Sequence, residues 1–324
     1  MKTYCGYIKD EAVLKKSSSG GIATAISKKV LSESGVVYGA AYTQNFREVE
    51  YIRVDKDEDL KRLQGSKYNK AKFRREILTQ IAGDLSQKKK VFFCGIPCDV
   101  NVVKQYMKKN NVDTSTLITA DLICHGAVDA RVLEQYIDHI EKKHNSKVVE
   151  FTTRYKNPDW THTYMYAKFE NGKEFIRSFY LDTEYGLSLP FMKTNRCYDC
   201  PFKGEDGHVA DFTIGDYWGS KPEDKGYNKL GTSIIFVYDK AGEDFLKSLD
   251  NFELSEADKE KALKGNPMYS KSAPQKDKIE WCREYFEKEG LIKTVRKRGG
   301  IKGFVKRMIP FSLRMSIKNA IKRS

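Results

Sequence analysis

Residues 90–110 read KVFFCGIPCDVNVVKQYMKKN, and their order decides the fold class. Val91–Cys94 is an apolar, aromatic run that reads as a buried strand. Gly95-Ile96-Pro97 turns the chain, and Asp99–Asn110 carries apolar residues at helical spacing. Strand, turn and helix in that order make half of an α/β unit. The alternation extends both ways. GVVYGAAYT (35–43), EVEYIRVDK (48–56) and LITADL (117–122) read as strands. IATAISKKVLSES (22–34), KFRREILTQIAGDLSQKKK (72–90) and DARVLEQYIDHIEKKH (129–144) read as helices, and DEDLKR (57–62) as a short helix entering a Gly-Ser loop. The prediction is α/β: a mixed, partly parallel sheet with flanking helices.

The texture changes near residue 146. SKVVEFTTRYK (146–156), THTYMYAKFEN (161–171) and GKEFIRSFY (172–180) are alternating, aromatic strands. This suggests an α/β lobe over 1–146, a more β-rich lobe over 147–290, and a helical, basic tail over 291–324. A second lobe of one domain fits the same pattern. The net charge of +14 belongs to that tail: residues 291–324 hold eleven Lys or Arg and no acid, which leaves about +3 for the other 290 residues. A nearly balanced body argues against nucleic acid as partner. At 40% hydrophobic and 12% aromatic, the 324-residue chain has the material for a large core. The N-terminal residues lack an apolar core of signal-peptide length, and no run of about 18 apolar residues occurs. The expectation is a cytoplasmic protein.

Seven cysteines, an odd number in a long chain, fit a disulfide framework poorly. Cys197 and Cys200 form a C-x-x-C in RCYDCPF. Cys98 closes the turn after Pro97, and Cys124 follows a strand in LICHG. Four thiolates from separate loops suit zinc or a 4Fe-4S cluster, and spacing alone leaves both open. Cys94 and Cys282 sit in apolar surroundings and read as small core residues; Cys5 is undecided. His125 adjoins Cys124, and Asp216 ends the strand DFTIGD before Tyr217 and Trp218. His125 reads first as a loop-packing residue, ahead of a role in proton transfer or in supporting a cysteine ligand, whereas Asp216 reads equally as a pocket-lining acid and as a turn former. The loops SSSGG (17–21), GSKY (65–68) and CGIPC (94–98) adjoin strands and helix starts, where anions collect in α/β sheets. SSSGG matches neither the dinucleotide fingerprint nor the P-loop.

Taken in order, SSGG, GSKYNKA, GIPC, DLICHG, RCYDCPF, DFTIGDYWG and GTS resemble the coenzyme F420 hydrogenase/dehydrogenase beta-subunit family, from Ser17 to Val237. The resemblance implies FAD and a 4Fe-4S cluster, with Cys98, Cys124, Cys197 and Cys200 as cluster ligands. It implies that Ser18, Ser19, Gly20 and Gly21, with Gly65, Ser66, Lys67 and Tyr68, face the flavin. The implied activity passes electrons between an external donor, such as a ferredoxin-like protein, and a small-molecule or deazaflavin-type acceptor. Many bacterial members accompany surface-polysaccharide genes. No catalytic residue is assigned. Two departures stand out: the chain shows no ferredoxin-like C-x2-C-x2-C-x3-C-P run, and Asp99 stands where the family commonly has Gln. A zinc-stabilised binding or scaffold protein in a glycan assembly complex is the competing reading, with a sugar-modifying transferase behind it. The tail alternates apolar residues at three- and four-residue steps with basic ones. This suits either docking on the body or peripheral contact with the inner face of an anionic membrane.

Overall fold

The computed structural model describes residues 1–275 and 279–308, with side chains as far as residue 300. It contains an eight-stranded mixed sheet, a three-stranded antiparallel sheet, flanking helices and a C-terminal helical segment. The expected α/β class is therefore observed.

The strands are β1 (Lys2–Ile8), β2 (Val36–Tyr42), β3 (Val49–Val54), β4 (Val91–Gly95), β5 (Leu117–Leu122), β6 (Val148–Tyr155), β7 (Tyr164–Phe169), β8 (Glu174–Ser178), β9 (Phe212–Asp216), β10 (Ser233–Val237) and β11 (Phe252–Glu256). The large sheet runs β11-β1-β10-β9-β5-β4-β2-β3, and β6-β7-β8 form the small one. Neighbours β2, β4, β5 and β9 are parallel. β10 is antiparallel to both β9 and β1, so β1 also points with the parallel set. The large sheet thus takes strands from both sides of residue 146.

Alternation along the strands builds two core layers. Val91 and Phe93 of β4 pack with Tyr38 on one face, against helices α3 (Arg75–Ser86), α4 (Pro97–Lys109) and α5 (Ala130–His144) and the small sheet. Phe92 points the other way with Val37 and Ala120, toward α1 (Glu11–Lys16) and α2 (Ile22–Ser32). Burial on both faces explains why β4 reads as a continuous apolar run. α4 begins with Pro97 in its first turn, where the missing N–H costs nothing.

The C-terminal segment Ile279–Met308 breaks from helical geometry at Gly290 and Gly300. Cys282, Phe286, Leu291 and Val295 are buried in the main core, and Thr294 is buried with them. The start of the basic tail is thus part of the body; its side chains beyond residue 300 lie outside the described residues. No helix among the described residues is long and apolar enough to cross a membrane.

Asp84 ties helix α3 to the sheet. It accepts hydrogen bonds from Tyr38 Oη (2.6 Å), Arg53 Nε (2.8 Å) and Lys89 Nζ (2.9 Å). Burial alone would raise its pKa, but these donors pull it down to about 2. Its stabilisation is therefore intact above the ordinary carboxylate range and is lost as pH falls from about 4 through 2. Asp84→Asn is expected to lower the unfolding free energy by about 2 kcal/mol at pH 7, discounted for the partial exposure of the two cations. Urea denaturation of both proteins at pH 7 and pH 3 checks this: the gap should narrow at the lower pH.

Candidate functional site

Because β1, β2, β4, β5 and β9 point the same way, the segments that follow them emerge at the same, carboxyl end of the strands. That end is where open α/β sheets place ligands. A cavity of about 670 Å³ lies there. Its walls include Ser18 and Ser19, the whole of Gly65–Tyr68, Cys94 and Ile96 from the β4 turn, and Cys124 and His125 after β5. Motifs scattered over 110 residues of sequence are thus neighbours in space.

α2 opens on this cavity. Its N-cap, Gly21, is left-handed (φ +81°) and gives no side-chain cap, so the N–H groups of the first turn are unspent by any cap. Ile22, Ala23 and Thr24 of that turn line the cavity. Ser18 Oγ and Ser66 Oγ bond across it (2.9 Å), joining the two serine loops. Gly20 has another role. A Cβ there would stand 2.2 Å from Gly6 O and 2.4 Å from Ser233 N, so Gly20 faces the β1–β10 backbone and does not line the cavity. Gly20→Val is therefore expected to lower the melting temperature by about 3–5 °C, the equivalent of roughly 2–3 kcal/mol of overpacking, instead of acting on a ligand alone. Thermal unfolding followed by circular dichroism checks it.

Lys67 lines the cavity, yet its Nζ donates to the carbonyls of Leu63 and Gln64 (both 2.8 Å) and Arg62 (3.3 Å), capping the turn 57–62. Burial pushes its pKa down to about 7. Tyr68 stacks on Phe179 (5.1 Å) and bonds Tyr180 through the two hydroxyls (2.7 Å). The buried Asp99 carboxylate accepts Tyr51 Oη (2.9 Å) and pairs with Lys70, whose Nζ also reaches Cys98 Sγ (3.5 Å). The departure at position 99 thus places a negative acceptor beside Cys98 together with its own cation. His125 is held below the usual imidazole range by desolvation and by Lys193 and Lys203, so it is neutral at pH 7.

The cysteines divide. Cys98 lies in the first turn of α4, Cys124 in the loop after β5, and Cys197 in the 3₁₀ turn Asn195–Asp199. These three thiols are within electrostatic reach of one another; burial pushes Cys98 up and Cys124 up to about 11. Gly126 N–H approaches Cys124 Sγ (3.4 Å), and a Cβ on Gly126 would stand 3.1 Å from Cys197 Cβ, so the two loops abut. Cys200 caps that turn in extended conformation, three residues after Cys197. Its N–H is anchored on Ser272 Oγ (2.9 Å). Among the described residues, no three His, Cys, Asp or Glu are grouped as ligands of a single metal ion. Cys5 is buried with its thiol on Lys225 O (3.2 Å), and Cys282 is fully buried.

Sequence reasoning missed the residues that clamp the serine loops. Thr153, Arg154 and Lys156 come from the end of β6 and the residue after it. Thr153 Oγ1 donates to Ser66 O (2.8 Å), Lys156 Nζ to Leu14 O (2.7 Å) and Ser19 O (2.8 Å), and Arg154 Nη2 to Ser18 O (2.9 Å) and Asp216 Oδ2 (3.0 Å). Burial, then Arg154, pushes Lys156 down to about 7. In TTRYK these cations look like a solvated strand face; their partners lie far away in sequence.

Family models match most of the chain. The model for the N-terminal part of the coenzyme F420 hydrogenase/dehydrogenase beta subunit matches residues 3–75, and that for its C terminus residues 88–261. Among solved structures, a chain of the F420-reducing NiFe hydrogenase complex from Methanosarcina barkeri is similar at a TM-score of 0.56 and 18% identity, over 83% of this chain and 89% of that one. At that identity the likeness bears on the fold alone. No curated protein matches.

Proposed function

The chain belongs to the coenzyme F420 hydrogenase/dehydrogenase beta-subunit family, which supports an oxidoreductase role, and we propose that it works as a flavin- and 4Fe-4S-dependent electron-transfer enzyme. The observation that carries this reading is the convergence of the two serine loops, the open α2 terminus and Cys124 on one cavity, with the Cys197 loop packed behind Cys124 at Gly126; Cys98, Cys197 and Cys200 themselves do not line the cavity. The residues fit the groups. Unspent N–H groups and serine hydroxyls suit a pyrophosphate, and a cavity of about 670 Å³ is within the range of cofactor sites. Thiols are the donors an iron–sulfur cluster requires. Its sulfur ligands stand farther apart than those of a single ion.

In this reading α2 and Ser18, with Ser66, hold the phosphates. Tyr68, kept in place by Phe179 and Tyr180, forms an aromatic wall. Cys98, Cys124, Cys197 and Cys200 hold the cluster, with Lys70 beside Cys98 offsetting its charge. Flavin with a cluster, when bound, converts between hydride and single-electron transfer. The electron donor is a separate, ferredoxin-like protein; the relative from Methanosarcina barkeri is itself part of a hydrogenase complex. The acceptor is a small molecule or a deazaflavin, and service in surface-polysaccharide biosynthesis belongs to the same proposal. The test is acid extraction of flavin together with iron, sulfide and zinc assay on protein purified without oxygen. One zinc and no flavin would favour a scaffold role instead.

Peripheral contact with a membrane is proposed for the residues beyond 300, where seven Lys or Arg remain. Each contributes on the order of 1 kcal/mol at an anionic surface. Because Leu291 and Val295 are core residues, the informative truncation ends at Gly300. The full chain should sediment with phosphatidylserine vesicles at low salt and the truncated chain should not. Equal partitioning would refute the contact.

A further inference from the structure

The geometry points to a second anion subsite in the cavity, built on Arg154, that takes a ring-bearing carboxylate or phosphate as substrate. Arg154 is 6% exposed and yet lines the cavity wall. A guanidinium has five N–H donors. The two hydrogen bonds to Ser18 O and Asp216 Oδ2 both run from Nη2, and the Tyr68 phenol, a further hydrogen-bond partner, and the Tyr180 phenol also act on the cation. Nε and Nη1 are therefore not engaged by either bond. Such a cation, held rigid by a main-chain carbonyl and one carboxylate, is pre-organised for bidentate oxyanion binding.

The surroundings are aromatic. Trp218 lies with its ring 5.7 Å from Arg154 Cζ and is backed by Trp160 (4.8 Å, 28° between planes). Tyr68 and Tyr180 line the same cavity. Flat apolar walls beside a guanidinium select a ring that carries an oxyanion over a free inorganic ion or an uncharged ring. The charge around the cavity agrees. Lys67, Arg154, Lys193 and Arg298 line it against two carboxylates, Asp99 and Asp216, and Asp99 is already paired with Lys70. Asp216 thus both holds Arg154 and competes with any incoming anion.

Calling the ligand a substrate rests on the oxidoreductase reading; the subsite itself does not. The experiment is calorimetric titration of the full chain as purified, with flavin content assayed on the same sample. The probes are benzoate, phenyl phosphate, benzamide and inorganic phosphate. Benzoate and phenyl phosphate are expected to bind saturably, with benzamide and inorganic phosphate at least tenfold weaker. Which of the two anions binds tighter tells carboxylate from phosphate ligands. Arg154→Gln should lose tenfold or more for both, and Arg154→Lys should recover part of that loss. Asp216→Asn separates this role from a purely structural ion pair: it should tighten anion binding several-fold. Equal binding of benzoate and benzamide, or no tightening in Asp216→Asn, would overturn the subsite. Flavin present without anion binding defeats the subsite and leaves the cofactor reading standing. Anion binding in flavin-free protein does the reverse.

Discussion

Serine at Cys98, Cys124 or Cys197 is expected to reduce iron from about four atoms per chain to less than one, the largest effect of any single substitution here. The three thiols lie within electrostatic reach on three loops, so removing one leaves a cluster open to loss. Cys200→Ser should act the same way, because Cys200 is the second thiol of the C-x-x-C pair in the proposed ligand set. Cys94→Ser should leave iron unchanged. Its thiol lines the cavity from β4, pushed up to about 12 by burial, and is not among the proposed ligands. Iron and sulfide assay of the five variants decides it. Equal iron across all five would remove the ligand assignment.

The second large effect concerns α2. Ala23→Glu puts a carboxylate in the first helical turn, on the cavity wall. An acid there complements the helix dipole, so melting should not fall. It would also repel a bound pyrophosphate at short range. Flavin affinity should then drop on the order of 100-fold, about 2.7 kcal/mol. Ala23→Gln, of similar size and uncharged, should lose far less. Flavin titration by fluorescence quenching, alongside thermal melts, separates charge from bulk. Equal affinity in Ala23→Glu and Ala23→Gln would move the phosphates away from α2.

Much of this was legible in local pattern. β4 and α4 were readable because an apolar run, a Pro turn and helical spacing fall within 20 residues. β1 was not. KTYCGYI carries Lys2, Thr3 and Gly6, and it is a strand because β10 and β11, more than 220 residues on, flank it. Gly6 sits so close to β11 that a Cβ would stand 1.8 Å from Glu253 O, a constraint no local window contains. The site divides likewise. Ser18 and Ser66 announce themselves as Ser-Gly loop residues, and Cys124 as a loop residue at a strand end. Gly20 shares their motif but serves the β1–β10 backbone. Lys67 reads as a cavity cation, and its donors are turned onto three carbonyls. Arg154 alternates with Thr153 in a strand and acquires meaning only beside Ser18 and Asp216.

The most direct test of the central claim is the absorption spectrum of the full chain purified without oxygen, read with metal and flavin analysis of the same sample. Expected are flavin bands on a broad iron–sulfur background, near one flavin and about four iron per chain. The iron–sulfur absorption should disappear in Cys124→Ser while the flavin bands persist. A colourless protein holding zinc, or no metal and no flavin at all, would contradict it.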